Sequence, residues 1–174
     1  MGVHGAGSRV ADRGRHQRHR GADGGAEPFV RLIGLDHGAK RIGVAVGDTE
    51  TGMAFARPAI KRRNLDHDLA LVGELCTTEG ATVVVIGLPL LLDGTEGAQA
   101  AAARAFGERL ERIGLQVAYE DERLTSWEAE RQSSAQGRHP RRDSGEIDSA
   151  AARLILQQYL DARPPTPFRP EETE

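Results

Sequence analysis

The stretch Phe29-Val-Arg-Leu-Ile-Gly-Leu-Asp36-His-Gly-Ala-Lys40-Arg-Ile-Gly-Val-Ala-Val-Gly47 decides the fold of this chain. Phe29 to Leu35 and Arg41 to Gly47 read as two strands, and His37-Gly-Ala-Lys40 reads as the hairpin connection between them. Side chains alternate along a strand, so Ile42, Val44 and Val46 share one face of the second strand and only Gly43 and Ala45 share the other. Asp36 closes the first strand. Taken alone, an aspartate two residues before a hairpin glycine is an ordinary turn residue.

Downstream, Gly52 to Ile60 is a third extended piece, in which Pro58 demands an edge or irregular backbone. Asn64 to Gly80 has the pattern of a helix, with Asn64 or Asp66 at its cap. The β-branched run from Thr82 to Gly87 is typical of a strand buried on both faces. Pro89 to Gly97 is a loop, Ala98 to Ile113 a helix stopped by Gly114, and Leu115 to Glu120 a fifth strand. Thr125-Ser-Trp-Glu128 has capping-box spacing and opens a further helix, Gln136 to Gly145 is a basic loop, and Glu146 to Asp161 is the last helix. The order β-β-β-α-β-α-β-α-α predicts an α/β domain: a hairpin-bearing, mixed five-stranded sheet completed by helical crossovers.

The flanks read differently. Residues 1–28 are rich in Gly and Arg and almost free of large apolar side chains, the composition of a disordered arm. A misplaced translation start accounts for the same composition. His16 and His19 have ligand-like spacing but are expected to be solvated there. Residues 163–174 form a Pro-rich tail, leaving 29–162 as the folded domain.

The chain has 174 residues, enough for one domain with a proper core, and a net charge of -3. That charge excludes a uniformly basic nucleic-acid binder but not one that rings an acidic pocket with basic residues. The single cysteine, Cys76, excludes an intramolecular disulfide and a cysteine-only zinc site, and its helical setting predicts a buried thiol. The longest apolar stretch, Thr82 to Leu92, is broken by Gly87 and Pro89 and is too short to span a bilayer. No apolar secretory segment opens the chain, so a cytoplasmic protein without membrane contact is expected.

Three acidic positions carry the chemistry. Asp36 ends a central strand, Asp121 and Glu122 end the fifth, and Asp148 begins the last helix. Counting from Asp148 by helical spacing reaches Ala152, Ile155 and Tyr159, while Glu146, Arg153, Gln157 and Asp161 form a polar row. Asp148 therefore heads the face that presses on the sheet, where a carboxylate is costly unless hydrogen-bonded or bound to a cation. Each position has a plain reading of its own: a turn residue, a polar strand end, a first-turn acid in a helix dipole. Together, strand ends meeting a helix N-terminus form one crevice, and carboxylates gathered there call for Mg²⁺ or Mn²⁺ rather than zinc. Two such ions, about 3.5–4 Å apart, suit phosphodiester hydrolysis. Asp36 would bridge them, Glu122 would hold one and orient water, and Asp148 would hold the other. Adjacent strand residues face opposite sides, which favours Glu122 over Asp121.

The segments Leu35 to Val46, Val85-Ile-Gly-Leu-Pro89 with Asp93-Gly-Thr-Glu-Gly97, Asp121-Glu-Arg-Leu-Thr125, and Ile147-Asp-Ser-Ala-Ala151 with Ile155-Leu-Gln157 occur in that order. In this ordered set the chain resembles the YqgF/RuvX family of pre-16S rRNA nucleases related to Holliday junction resolvases. The resemblance implies an RNase H-like fold with helices on both sheet faces. It also implies metal ligands at Asp36, in the Asp121-Glu122 pair and at Asp148, and a role beside the site for the 93–97 loop through Glu96. Two positions depart from the family pattern. His37 replaces a small or hydrophobic residue, and Arg141-Arg-Asp-Ser-Gly-Glu146 lacks the lysine usual near Ser144. Arg138, Arg141 or Arg142 can supply that charge. Lys40, Arg41, Lys61, Arg62, Arg63 and Arg123 are further candidate phosphate contacts.

The resemblance puts 5′-end processing of pre-16S rRNA first and resolution of four-way DNA second. Junction resolution requires a symmetric homodimer, and no dedicated dimerisation element stands out. Two readings of other classes compete. Asp36-x-Gly before a second strand also resembles the first phosphate loop of the actin/sugar-kinase ATPases, but a second such loop is missing and the chain is short for two domains. A catalytically silent RNA-binding module is the other.

Overall fold

A computed structural model describes residues 29–122 and 145–163. The elements are β1 (Arg31–His37), β2 (Arg41–Asp48), β3 (Ala54–Lys61), α1 (Leu65–Glu79), β4 (Val83–Leu88), α2 (Ala98–Arg112), β5 (Gln116–Asp121) and α3 (Glu146–Asp161). The arm at 1–28, the helix expected after Thr125, the basic loop up to Ser144 and all but the first residue of the tail lie outside the described residues. The five strands form one sheet in the order β3-β2-β1-β4-β5. β2 runs antiparallel to both β1 and β3, whereas β1, β4 and β5 run parallel. A tight hairpin enforces the first arrangement, and helical crossovers enforce the second.

One local outcome differs from the sequence expectation and another meets it. β1 begins and ends two residues later, because pairing with β2 continues through Asp36↔Gly43 and His37↔Ile42. Asp36 is thus a paired strand residue and the turn lies beyond it. β3 runs unbroken past Pro58 as an edge strand. Its register slips between Ile42↔Ile60 and Val44↔Arg57, so three steps on β3 oppose two on β2. Pro58 sits in that bulge, where the missing N–H removes no ladder bond.

Between Asn64 and Asp66, the structure selects Asn64 as the α1 cap: its side chain accepts from the His67 N–H at 2.9 Å. Gly80, at φ 67, ends that helix in the left-handed region that favours glycine. One face of the sheet offers Ile33, Leu35, Ile42, Val44, Val84 and Ile86 to Val72 and Cys76 of α1 and to Phe106 and Leu110 of α2. Cys76 is buried there, as expected, and burial pushes its thiol up to about 11. The other face offers Leu32, Ala45, Ala54 and Val85 to Ala152, Ile155, Leu156 and Leu160 of α3. Helices therefore cover both faces.

The α3 face is lined by small residues, so the helix lies close to the sheet. Ile155 and Leu156 are fully buried there, each stabilising by about 1.5–3 kcal/mol. Gln157, expected in the polar row, is instead a latch. Its Oε1 accepts from the Ala54 N–H at 3.0 Å, and its Nε2 donates to the Gly52 carbonyl at 2.8 Å. On the opposite side, Gln158 Nε2 donates to Glu120 Oε1 at 2.7 Å. These bonds fix the height and rotation of α3 over the sheet. Among the described residues, no helix is long and apolar enough to cross a membrane.

Candidate active site

Strands β1, β4 and β5 all end at the same edge of the sheet, and α3 begins above that edge on its own face. Along β1, Leu32, Gly34 and Asp36 point to the α3 face, while Ile33, Leu35 and His37 point to the α1/α2 face. Asp36 is therefore presented to the first turn of α3, which carries Asp148.

Gly43 makes that approach possible. It is the register partner of Asp36, and a Cβ placed on it would stand 1.9 Å from the Asp148 carbonyl oxygen. The missing side chain lets the helix backbone rest on β2 with Asp148 beside Asp36. Burial first, and the Asp148 charge second, push the Asp36 carboxyl up to about 6.

Glu122 reaches the same place from β5. Its N–H donates to the Leu88 carbonyl at 3.1 Å, one step beyond the Leu88↔Asp121 pair. Its carboxylate lies over Gly87, where an added Cβ would stand 2.1 Å from Oε1. Burial, then the charges of Asp36 and Asp121, push Glu122 up to about 7. Strand alternation assigns Asp121 to the face of Val117 and Tyr119, which pack against the α2 layer. The structure thus brings together Asp36, Glu122 and Asp148 and sets Asp121 on the other face.

The cluster is electrostatically strained, because Asp36 and Glu122 resist ionising there. Its donors are carboxylate oxygens alone, a set that fits a hard divalent cation and not a thiophilic one. The three groups are neighbours rather than a closed cage. Among the described residues, no three His, Cys, Asp or Glu side chains stand ready around a common ion. Holding one ion between them requires side-chain rotation at the rim, where all three are half-buried.

On the opposite face, His37 stacks on Phe106 with ring centroids 4.8 Å apart. Burial, then the Arg62 charge, push its pKa down to about 4, so a neutral imidazole belongs to the α2 layer and not to the acidic crevice. Arg62, a candidate phosphate contact in the sequence, points inward: Nε donates to Asp68 Oδ2 at 3.0 Å and Nη1 to the Gly38 carbonyl at 2.9 Å. Asp68 is 0% exposed and also accepts from the Arg63 N–H at 3.2 Å. Sequence reading passed over Asp68. The signal was present, because Asp68, Val72 and Cys76 form one helical row, the same pattern that singles out Asp148.

Glu96 is tied to Arg104 of α2, which donates from Nε at 2.9 Å and holds the carboxyl below its usual range. Lys40 is exposed at the hairpin, and Arg41 lies along Gly145, which precedes α3. Arg123, Arg138, Arg141 and Arg142 fall outside the described residues.

Residues 30–162 match the RuvX family, described as Holliday junction resolvase. A protein of Anaeromyxobacter dehalogenans named "Putative pre-16S rRNA nuclease" is 44% identical over 137 residues, which span 78% of this chain and 100% of the relative. A Synechococcus elongatus protein of the same name is 43% identical over 139 residues, 77% of this chain and 91% of the relative. Among solved structures, Thermus thermophilus RuvC in complex with a Holliday junction substrate superposes with a TM-score of 0.50 at 14% identity, covering 80% of this chain and 99% of that one. That likeness concerns the fold, and it is RNase H-like. With a family match from residue 30 to residue 162 and relatives at 43–44% identity, the chain belongs to the RuvX family of nucleases.

Proposed function

We propose that this nuclease is divalent-metal-dependent, that Asp36, Glu122 and Asp148 hold Mg²⁺ or Mn²⁺, and that it processes the 5′ end of pre-16S rRNA in the cytoplasm. The observation that carries the reading is the convergence of these three carboxylates from β1, β5 and α3, where Asp36 and Glu122 are both driven toward neutrality. A cation relieves that repulsion. When bound, two such ions supply the positive charge for in-line displacement at phosphorus. Asp36, locked by pairing with Gly43, is the fixed point on which substrate and ligands are aligned. Asp148 closes the site from the helix side, and Glu122 orients the attacking water from β5. Asp121, on the other face, adds negative charge beside Glu122 that a bound cation would offset. Arg41, beside the start of α3, and Arg123, Arg141 and Arg142 are proposed backbone contacts.

The names of the relatives favour ribosomal RNA; the family description keeps four-way DNA as second substrate, which would require a symmetric homodimer. The test offers both substrates, with Mg²⁺ or Mn²⁺, to wild type and to Asp36→Asn. Metal-dependent cleavage by wild type is expected, with a loss of about 10²-fold or more in the variant. Unchanged cleavage by Asp36→Asn overturns the ligand assignment. Binding of pre-rRNA without any cleavage leaves the silent RNA-binding reading instead.

A further inference from the structure

The hairpin that carries Asp36 has a second side. At the same edge of the sheet, Lys40 in the β1–β2 turn, Lys61 at the end of β3, and Arg63 and Asn64 before α1 line a cleft of about 410 Å³ floored by Asp68. Arg62 is consumed by Asp68 and the Gly38 carbonyl, which rigidly joins the hairpin to the start of α1. The side chains of Lys40, Lys61 and Arg63 make no ion pair among the described residues. Lys40, Lys61 and Arg63 therefore border the cleft as three uncommitted cations on a preformed frame, Lys61 from the α3 face that its pairing with Arg41 gives it, and the cleft opens at the N-terminus of a 15-residue helix whose dipole favours anions. β3 lies two strands from β1, about 10 Å across the sheet. A nucleic-acid strand with one phosphate at Asp36 can pass over the hairpin and lay the next phosphates in this cleft.

We infer that the cleft is a phosphate subsite, gripping one or two non-scissile phosphates of a single strand next to the cleavage point. The inference rests on the nuclease reading for its choice of ligand, since phosphodiester oxygens are the anions a nuclease brings to that edge. Its contribution is positioning: the substrate backbone is held beside the hairpin, at the ends of β2 and β3, while the carboxylates act on the α3 side.

The test compares Lys61→Gln/Arg63→Gln with Arg109→Gln/Arg112→Gln, which removes the same charge from the last turn of α2 at the opposite end of that helix. Binding of the full-length proteins to a single-stranded RNA and to a four-way DNA is measured without divalent ions, across a salt series. For the RNA, the cleft variant is expected to lose about 1.4 in the magnitude of the log–log salt slope, about 0.7 for each of two phosphates. The control is expected to keep the wild-type slope. With Mn²⁺, the cleft variant is expected to raise KM far more than it lowers kcat. Equal slopes in the two variants, with both proteins folded by circular dichroism, overturn the subsite. A loss confined to four-way DNA overturns its assignment to a single strand. Failure of wild type to cleave either nucleic acid would instead overturn the nuclease reading, and the binding arm would still read the cleft.

Discussion

Gly43 is the position where one methyl group tests the whole site. In Gly43→Ala the new carbon would stand 1.9 Å from the Asp148 carbonyl oxygen, 2.3 Å from its carbon and 3.0 Å from the Ser149 nitrogen. These are backbone atoms, so no rotamer change relieves the clash. Restoring a 3.0 Å contact requires the first turn of α3 to withdraw by at least 1.1 Å. Farther along, α3 is pinned by Gln157 to Gly52 and Ala54 and by Gln158 to Glu120, so the displacement falls on the turn that carries Asp148. Overpacking of this kind costs about 1–3 kcal/mol. A smaller gain, about 0.4–1 kcal/mol, comes from the stiffer unfolded chain. The expected net loss is about 1–2 kcal/mol in urea unfolding. Moving a catalytic group by about 1 Å lowers kcat/KM by about 10²-fold, which a cleavage assay with Mn²⁺ reads directly. Gly73→Ala is the control: its Cβ would meet only Ile113 Cδ1 at 3.9 Å, and α1 should gain up to about 1 kcal/mol. Wild-type stability and wild-type kcat/KM in Gly43→Ala would refute the packing of α3 on β2 and the placement of Asp148.

Three further outcomes are expected. Asp36 and Glu122 titrate near 6 and near 7 in the folded protein, above their unfolded values near 4, so the folded state holds protons more tightly. Their stabilising effect is full below about pH 4 and is lost as the pH rises through 6 to 7. Stability in chelator should therefore fall between pH 5 and pH 8, by about 2–4 kcal/mol after discounting for partial exposure. Asp36→Asn/Glu122→Gln should flatten the profile, and a variant with the wild-type pH slope would contradict the shifts. Mg²⁺ should raise Tm more at pH 8 than at pH 5, because protons compete for the same oxygens; an equal rise at both would count against these ligands. Asp68→Ala removes the partner of Arg62, and should cost about 3 kcal/mol in denaturant unfolding. A loss under about 0.5 kcal/mol would show that the pair does not anchor the hairpin.

Much of this architecture is legible in local patterns. Period-two alternation around Gly43 and Ala45 announces a sheet face that a helix can approach closely, and the helical row from Asp148 announces which helix face does so. Boundaries are less legible. β1 starts and stops late because pairing with β2 sets its ends, and β3 survives Pro58 because an edge strand can bulge there. Basic residues carry the least local signal of where they point. Lys61, Arg62 and Arg63 look alike in the sequence, yet Arg62 turns inward to Asp68 while Lys61 and Arg63 stay exposed.

Sequence alone determined the order of elements, the hairpin, and the three acidic positions worth examining, since these depend on periodicity and turn chemistry within a few residues. The choice of Glu122 over Asp121 was also favoured there, by strand parity. Tertiary structure decided that Asp36, Glu122 and Asp148 share one face of one sheet edge. That sharing depends on the strand order β3-β2-β1-β4-β5 and on the height of α3 above Gly43. The first is set by pairings between separate elements such as Leu32↔Val83, the second by contacts more than a hundred positions apart, as with Gly43 and Asp148, and pattern within a single element carries no information about either.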